Sequence, residues 1–305
     1  MPWTADAIPD QSGRIALITG ANSGLGLESA RALAAHGATV VLACRSRRKG
    51  EAARNELIAS VRSGGGLEVL ELDLADLQSI RRASLWLAEQ YGRLDLLLNN
   101  AGVMAPPRTL TRDGFELQFG TNHLGHFALT LLLLPLMRGR REARVVTVTS
   151  GAQYFGRIAF DDLTAEQRYD RWAAYSQSKL ANVMFALELQ ERLAADGSGV
   201  ASLAAHPGLA RTNLQPASVA ANGSKLEALS YRLMDPLFQS AAMGALPQLH
   251  AATAPSAKGG EHYGPNQWGG MRGWPTQVRI APAALDTAQR RQLWEVSETL
   301  TGIGR

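Results

Sequence analysis

Tyr175 and Lys179 stand four residues apart in Tyr175-Ser176-Gln177-Ser178-Lys179. On a helix that spacing puts both side chains on one face. A free phenol has a pKa of about 10, too high for easy proton exchange near neutral pH. A neighbouring ammonium favours the phenolate and brings the proton within reach. The pair could therefore serve as acid and base at an oxygen atom. The pattern alone is common on helix surfaces, so its weight depends on what else the chain carries.

The chain also carries a glycine turn. Thr19-Gly20-Ala21-Asn22-Ser23-Gly24-Leu25-Gly26 follows a short β-rich run at 14–19 and precedes a helical segment. Glycines there permit a tight turn and close backbone approach to a pyrophosphate. The helix start offers free N–H groups and a positive dipole end to the anion. The spacing is G-x-x-x-G-x-G, not the triphosphatase G-x-x-x-x-G-K-[ST]. Dinucleotide binding follows, with Gly20, Asn22, Ser23, Gly24, Leu25 and Gly26 as the cradle.

The next apolar run ends in Ala43-Cys44-Arg45-Ser46-Arg47-Arg48-Lys49. A carboxylate at that point would bind the ribose 2′-hydroxyl of NAD. None is present, and four basic groups are. Basic side chains at a helix start oppose its dipole, so an anionic partner would explain them. Arg45 is the candidate for bidentate contact with a 2′-phosphate, and Lys49 adds to the field. The expected cofactor is NADP(H). Ser150 closes a later strand-like run, and a hydroxyl at such a strand end could hydrogen-bond a substrate oxygen. Thr149 competes for that role. Asn122 lies in a helical stretch, where asparagine is unfavourable unless it bonds to something.

Short apolar runs fall at 14–19, 39–44, 67–72, 94–99, 143–149 and 200–205. Helical segments fall at 28–36, 47–61, 77–91, 114–137, 172–195 and 286–300. The runs do not alternate strictly, which points to burial on both faces and hence to a parallel sheet. Alternation with helices implies right-handed crossovers. The fold expected is α/β, a Rossmann-type doubly wound parallel sheet of about seven strands with helices on both faces, in a single domain. Residues 14–205 would form the dinucleotide-binding and catalytic core, 206–275 the substrate-binding loops and helices, and 276–305 a C-terminal tail.

Composition fits that picture. The 305 residues are 46% hydrophobic and 19% charged, which excludes a disordered chain. A net charge of +4 is too diffuse to argue for nucleic acid. Cys44 is the only cysteine, so disulfides and cysteine-based zinc clusters are out, no other metal-ligand pattern stands out, and a reducing compartment is expected. The start lacks a secretory pattern. The longest apolar run, 127–137, falls short of the ~20 residues of a bilayer span. The expectation is a soluble cytoplasmic protein without a membrane span.

Taken in order, these motifs resemble the short-chain dehydrogenase/reductase family, in its TGxxxGxG and YxxxK branch, from about 14 to 212. The resemblance implies further roles. Asp73-Leu74 would contact adenine, and Asn100-Ala101-Gly102 would turn under the cofactor ribose. Asn122 would be the helix asparagine that anchors a water passing protons to Lys179, and Lys179 would also hold the nicotinamide ribose. Ser150, rather than Thr149, matches the family's serine. Pro207-Gly208 would lie over the nicotinamide, with Thr212 at its carboxamide or phosphate. His123 and His126 are read as packing residues. The long interval from Ser150 to Tyr175, Ala43-Cys44-Arg45, Ser178-Lys179-Leu180-Ala181-Asn182 and His206-Pro207-Gly208 are similar to the retinol dehydrogenase and WW-domain oxidoreductase subgroup.

The implied activity is NADP(H)-dependent hydride transfer to or from a small-molecule carbonyl or alcohol. No Arg or Lys is placed to clamp a substrate carboxylate, so an uncharged, fairly hydrophobic substrate is expected. Phe238, Met243, Trp268, Met271 and Trp274 could line an apolar pocket or equally be core. The alternative is a catalytically silent NADP(H)-sensing protein. Homodimers and homotetramers are frequent in the family, and the apolar 127–137 helix could serve one.

Overall fold

The computed structural model describes residues 2–61, 65–211, 218, 223 and 237–304. Thr212 therefore lies outside the described residues. Eight strands form one sheet: β1 (Ile15–Thr19), β2 (Thr39–Cys44), β3 (Leu67–Glu71), β4 (Leu96–Asn99), β5 (Arg144–Val148), β6 (Ala201–Ala205), β7 (His262–Gln267) and β8 (Arg272–Gln277). Every residue of β1, β4 and β5 is buried, as uninterrupted apolar runs require. The spatial order is β3-β2-β1-β4-β5-β6-β7-β8. All pairings are parallel up to β7, and β8 runs antiparallel to it. Chain direction across the sheet reverses between β1 and β4. A crevice opens beyond the carboxyl ends of strands at such a switch point.

Helices cover both faces: α1 (Gly24–Ala35), α2 (Arg47–Ser60), α3 (Leu77–Tyr91), α4 (Gly125–Met137), α5 (Arg171–Ala195), α6 (Ala241–Thr253) and α7 (Thr287–Thr301). Alternate residues of the strands feed two cores. Leu17, Leu97 and Val145 pack with Leu87, Phe127 and Leu133. Ile18, Leu42 and Leu98 pack with Leu33, Leu57 and Leu249 on the other side. Helix starts are fixed by carboxylates. Asp76 accepts from the N–H groups of Gln78 and Ser79 at α3, and Asp170 from those of Trp172 and Ala173 at α5.

The structure departs from the sequence expectation in two places. First, the helix contained in 114–137 is irregular: a short α turn (Leu117–Phe119), then a π-helical turn (Gly120–Leu124), then α4. Glu116 sets that start by accepting from the N–H groups of Gln118 and Phe119. Gly125 is needed there, because a Cβ would sit 2.4 Å from the Leu74 carbonyl oxygen. Second, the sheet has eight strands rather than about seven. β7 and β8 form a hairpin in which Pro265 faces Pro275, and proline is tolerated at a sheet edge. Over 206–275, where loops and helices were expected, α6 packs by burial of Ala245, Leu249 and Ala252.

Trp268 and Met271 sit exposed at the hairpin turn, while Phe238, Met243 and Trp274 are half-buried. The apolar 127–137 stretch is largely consumed within the chain. Trp294 of α7 packs edge-on to Phe127 at 5.0 Å and stacks on Phe185 at 5.9 Å. Arg290, itself buried, pairs with Glu191 and Glu188 of α5 and pins α7 down. Among the described residues no helix is long and apolar enough to cross a membrane, and no cluster of three or more His, Cys, Asp or Glu side chains could hold a metal.

Four histidines are buried neutral. Burial pushes His123 down to about 3, with His126 adding to the effect, and pushes His126 to about 4. It pushes His206 to about 3, aided by His262, and His262 to about 4. The unfolded chain takes up these protons near pH 6.5. Stability is therefore complete above pH 6.5 and lost as the pH falls toward 4, by about 2 kcal/mol per ring at pH 5. Thermal melts should show Tm falling by about 10 °C between pH 7 and pH 5. An unchanged Tm across that range would contradict the burial of neutral rings.

Candidate active site

The glycine turn lies at the switch point. Gly20 has φ +66°, a left-handed conformation that a side chain resists. A Cβ on Gly26 would come within 2.5 Å of the Gly20 carbonyl oxygen and 2.7 Å of Asn100 Nδ2. The turn is therefore folded tightly against the end of β4. Ser23 occupies the N-cap of α1, but its hydroxyl makes no capping bond. The first N–H groups of α1 are thus left for another acceptor.

A cleft of about 340 Å³ opens there. It is lined by the expected residues Gly20, Asn22, Ser23, Gly24, Leu25, Arg45, Asn100, Ala101 and Gly102, and also by Val103, Met104, Pro106, Leu117 and Ser218. Among the described residues Arg45 is the only charged one on that wall. Lys49 is not brought to it and stands exposed on the first turn of α2, where its N–H is capped by Ser46. Asp73 and Leu74 are placed by their own loop: Asp73 accepts from Ala75 N at 3.0 Å, and Leu74 abuts Gly125. Pro207 and Gly208 follow β6 under the β7–β8 hairpin. There Leu209 N donates to Met271 O at 2.6 Å, and a Gly208 Cβ would lie 2.3 Å from that oxygen.

A second set of contacts fixes the loop after β4. Thr19 Oγ1 accepts from Asn100 N and Ala101 N, both at 2.9 Å. Asn100 Nδ2 donates to Thr19 O at 2.8 Å, and Gln248 Nε2 donates to Asn100 Oδ1 at 3.2 Å. Two residues further on, Asn122 grips Val103 from both sides. Its Oδ1 accepts from Val103 N at 2.8 Å, and its Nδ2 donates to Val103 O at 3.0 Å. The same Nδ2 lies 2.9 Å from Ser178 Oγ, and Ser178 donates to Tyr175 O at 2.8 Å. Asn122 thus stands on a π-helical turn, a distortion often found at functional sites. Its amide binds protein rather than standing open.

Tyr175 and Lys179 share a face of α5, as their spacing requires. Both are buried, and the Lys179 ammonium lies 5.7 Å from the centroid of the Tyr175 ring. Lys179 Nζ donates to Val148 O at 3.3 Å, and Asn182 Nδ2 to the same oxygen at 3.0 Å. Burial disfavours the ammonium and pulls Lys179 down to about 8. Thr149 Oγ1 donates to Lys179 O at 2.7 Å, so its hydroxyl is spent on stapling β5 to α5. Ser150 comes next and is half-buried. Its Oγ accepts from Ala152 N at 3.3 Å, which leaves its own proton available.

Gly102 joins the two halves. A Cβ there would sit 3.1 Å from Asn122 Oδ1 and 3.5 Å from Lys179 Nζ. The end of the cofactor-side loop therefore reaches the buried lysine. Thr19, Val103, Ser178 and Gln248 are structural parts of this arrangement to which motif reading gave no role. Thr19 and Ser178 carried a hint, as the first residue of the glycine-turn motif and the residue before Lys179 in the helix motif.

The cradle, the crevice and the lone arginine fit a dinucleotide, and a buried phenol–ammonium pair beside it suits alcohol–carbonyl chemistry. These define a class of nicotinamide-dependent oxidoreductases. Residues 14–223 match the model of the short chain dehydrogenase family, and the chain belongs to that family. It is 43% identical to human retinol dehydrogenase 12 over 294 residues, covering 95% of this chain and 87% of that protein. It is 39% identical to mouse retinol dehydrogenase 14, covering 95% and 86%. The crystal structure of an uncharacterized protein from Mycobacterium Paratuberculosis is 45% identical, with a TM-score of 0.81 and coverage of 99% and 98%. The sequence thus falls among the retinol dehydrogenase-like members.

Proposed function

We propose that the protein is an NADP(H)-dependent oxidoreductase that interconverts a carbonyl and the matching alcohol in an uncharged, fairly hydrophobic small molecule. The observation that carries this reading is the Tyr175–Lys179 pair, buried on α5 and stapled through Val148 and Thr149 to the strand end that presents Ser150. A bound reduced nicotinamide supplies the hydride. In reduction, the Tyr175 hydroxyl gives its proton to the substrate oxygen as that oxygen gains negative charge, so a C=O becomes a CH–OH. The Lys179 ammonium stabilises the phenolate left behind. Ser150 donates to the same oxygen and orients it. In oxidation the proton runs the other way.

Asn122 serves this reading by position, through Val103 and Ser178. That account differs from a water anchor in resting on protein contacts. The phosphate end would be held by the α1 N–H groups, with Asp73 and Leu74 toward adenine and Pro207, Gly208 and Thr212 toward the nicotinamide. Arg45 is the determinant for a 2′-phosphate, because no carboxylate stands at the end of β2 and this guanidinium faces the cleft. A structure from Beutenbergia cavernae, assigned as an NAD(P) dependent gluconate 5-dehydrogenase and 27% identical to this chain with a TM-score of 0.62, holds NADP. That supports the choice. The similarity to retinol dehydrogenases makes an apolar alcohol or aldehyde such as a retinoid the first substrate to try. Residues 206–275 would then shape the substrate end of the site, with 276–305 as the tail that closes over α5.

Purified protein should reduce members of a panel of apolar aldehydes and ketones with NADPH. Tyr175→Phe should lower kcat by about a thousandfold or more while NADPH still binds. Binding retained with no turnover by the wild type would favour the silent sensor. Arg45→Glu should weaken NADPH by about a hundredfold and NADH by less than about threefold, measured by fluorescence titration, because it replaces a charge-assisted contact with repulsion. Equal loss for both cofactors would contradict the assignment of Arg45.

A further inference from the structure

His126 lies one residue into α4 and is 1% exposed. It was expected to be packing. Its ring instead spans two parts of the site. Nδ1 lies 2.9 Å from Asn122 O, and Nε2 lies 2.9 Å from Thr19 Oγ1. A carbonyl oxygen only accepts, so Nδ1 must carry the proton. The neutral ring then leaves Nε2 as an acceptor, and it takes the Thr19 hydroxyl proton. That assignment satisfies every group. Thr19 Oγ1 accepts from Asn100 N and Ala101 N and gives its one proton to His126 Nε2 at 2.9 Å, the nearer acceptor, with Leu98 O at 3.3 Å the farther one. A positively charged ring could not accept from Thr19, and burial beside Lys179 keeps the ring neutral.

We infer that His126 is a positioning residue that locks the end of the glycine-turn strand to the π-helical turn bearing Asn122. The loop 100–103 is held by Thr19 at one end and by Asn122 at the other. His126 is the bonded bridge between those two clamps. Through Ser178 the same chain reaches the Tyr175 backbone. The π-helical turn makes such a bridge useful, because the ordinary i→i−4 ladder is disturbed there. The ring also follows from the fold: Gly125 lets α4 approach the Leu74 loop closely, and the next residue is thereby delivered beneath Thr19. For its effect on turnover, the inference rests on the proposed oxidoreductase site.

The test is His126→Phe, which keeps an aromatic ring and removes both bonds, alongside His126→Asn, which can keep a donor for Asn122 O but cannot reach Thr19. Hydrogen exchange should be followed at Ala101 and Val103 in the protein without substrate. In His126→Phe both amides should exchange at least about tenfold faster than in the wild type, while the amides of β4 keep their rates. In His126→Asn the Ala101 amide should lose more protection than Val103. With a substrate from the panel, kcat should fall about tenfold or more with KM within about threefold. Exchange at both amides within about twofold of the wild type would overturn the inference. So would a failure of both variants to reach the native fold, which would mark the ring as structural only. Tyr175→Phe should leave the exchange pattern unchanged. If that variant keeps its turnover, the catalytic reading fails, and the amide rates still decide the role of His126.

Discussion

A lysine ammonium withdrawn from water is the element on which the site depends. Lys179 is 3% exposed, and its ammonium donates to a backbone carbonyl at 3.3 Å. Burying such a charge is unfavourable, which is why its proton becomes loosely held. Left on a surface helix, the same residue would keep its hydration and do little to a tyrosine four residues away. Buried, its field acts on the Tyr175 ring with little screening. The surrounding structure has to keep water away from this group and hold the ring beside it.

The sheet does this through a small number of fixed points. The end of β5 is tied to α5 by Thr149 and Asn182, so the serine that follows emerges beside the buried pair. The end of β1 turns through glycines into α1, and Thr19 captures the first two N–H groups of the loop leaving β4. That loop runs directly from the cofactor cleft to Lys179, and glycine at position 102 leaves Asn122 and the ammonium uncrowded. Binding and chemistry are therefore adjacent because two parallel strands diverge at the switch point and one short loop crosses between them. On the far side, α7 closes the apolar face of α4 and α5 with Trp294 and a buried arginine, so the helix that carries Tyr175 rests on a packed base.

Much of this was legible in the residues. The six apolar runs became β1 to β6 within two residues at each end, because burial on both faces leaves a strong compositional signal. The glycine turn and the Tyr175–Lys179 pair stood out by their spacing and their order along the chain, and Arg45 by the basic run that replaces a carboxylate. The rest was hidden for identifiable reasons. Pro265 and Pro275 masked β7 and β8, since proline speaks against a strand unless the strand lies at an edge. The π-helical turn had no periodic signature, and only the glycines at 120 and 125 hinted at close approaches. The resemblance chose Ser150 over Thr149, and the bond from Thr149 to Lys179 O, which no motif reveals, supplies a physical reason. His126 read as packing because its contact with Thr19 joins residues more than a hundred positions apart.

The central claim is that the Tyr175–Lys179 pair acts as one proton-holding unit, and the pH dependence of kcat/KM for carbonyl reduction, measured where hydride transfer limits the rate, tests it most directly. With Lys179 drawn down to about 8 by burial, the ammonium that stabilises the Tyr175 phenolate should release its own proton near that pH. Reduction needs that proton, so the rate should be level below about pH 8 and decline tenfold per unit above it. A profile that stays flat to pH 10 would contradict the account.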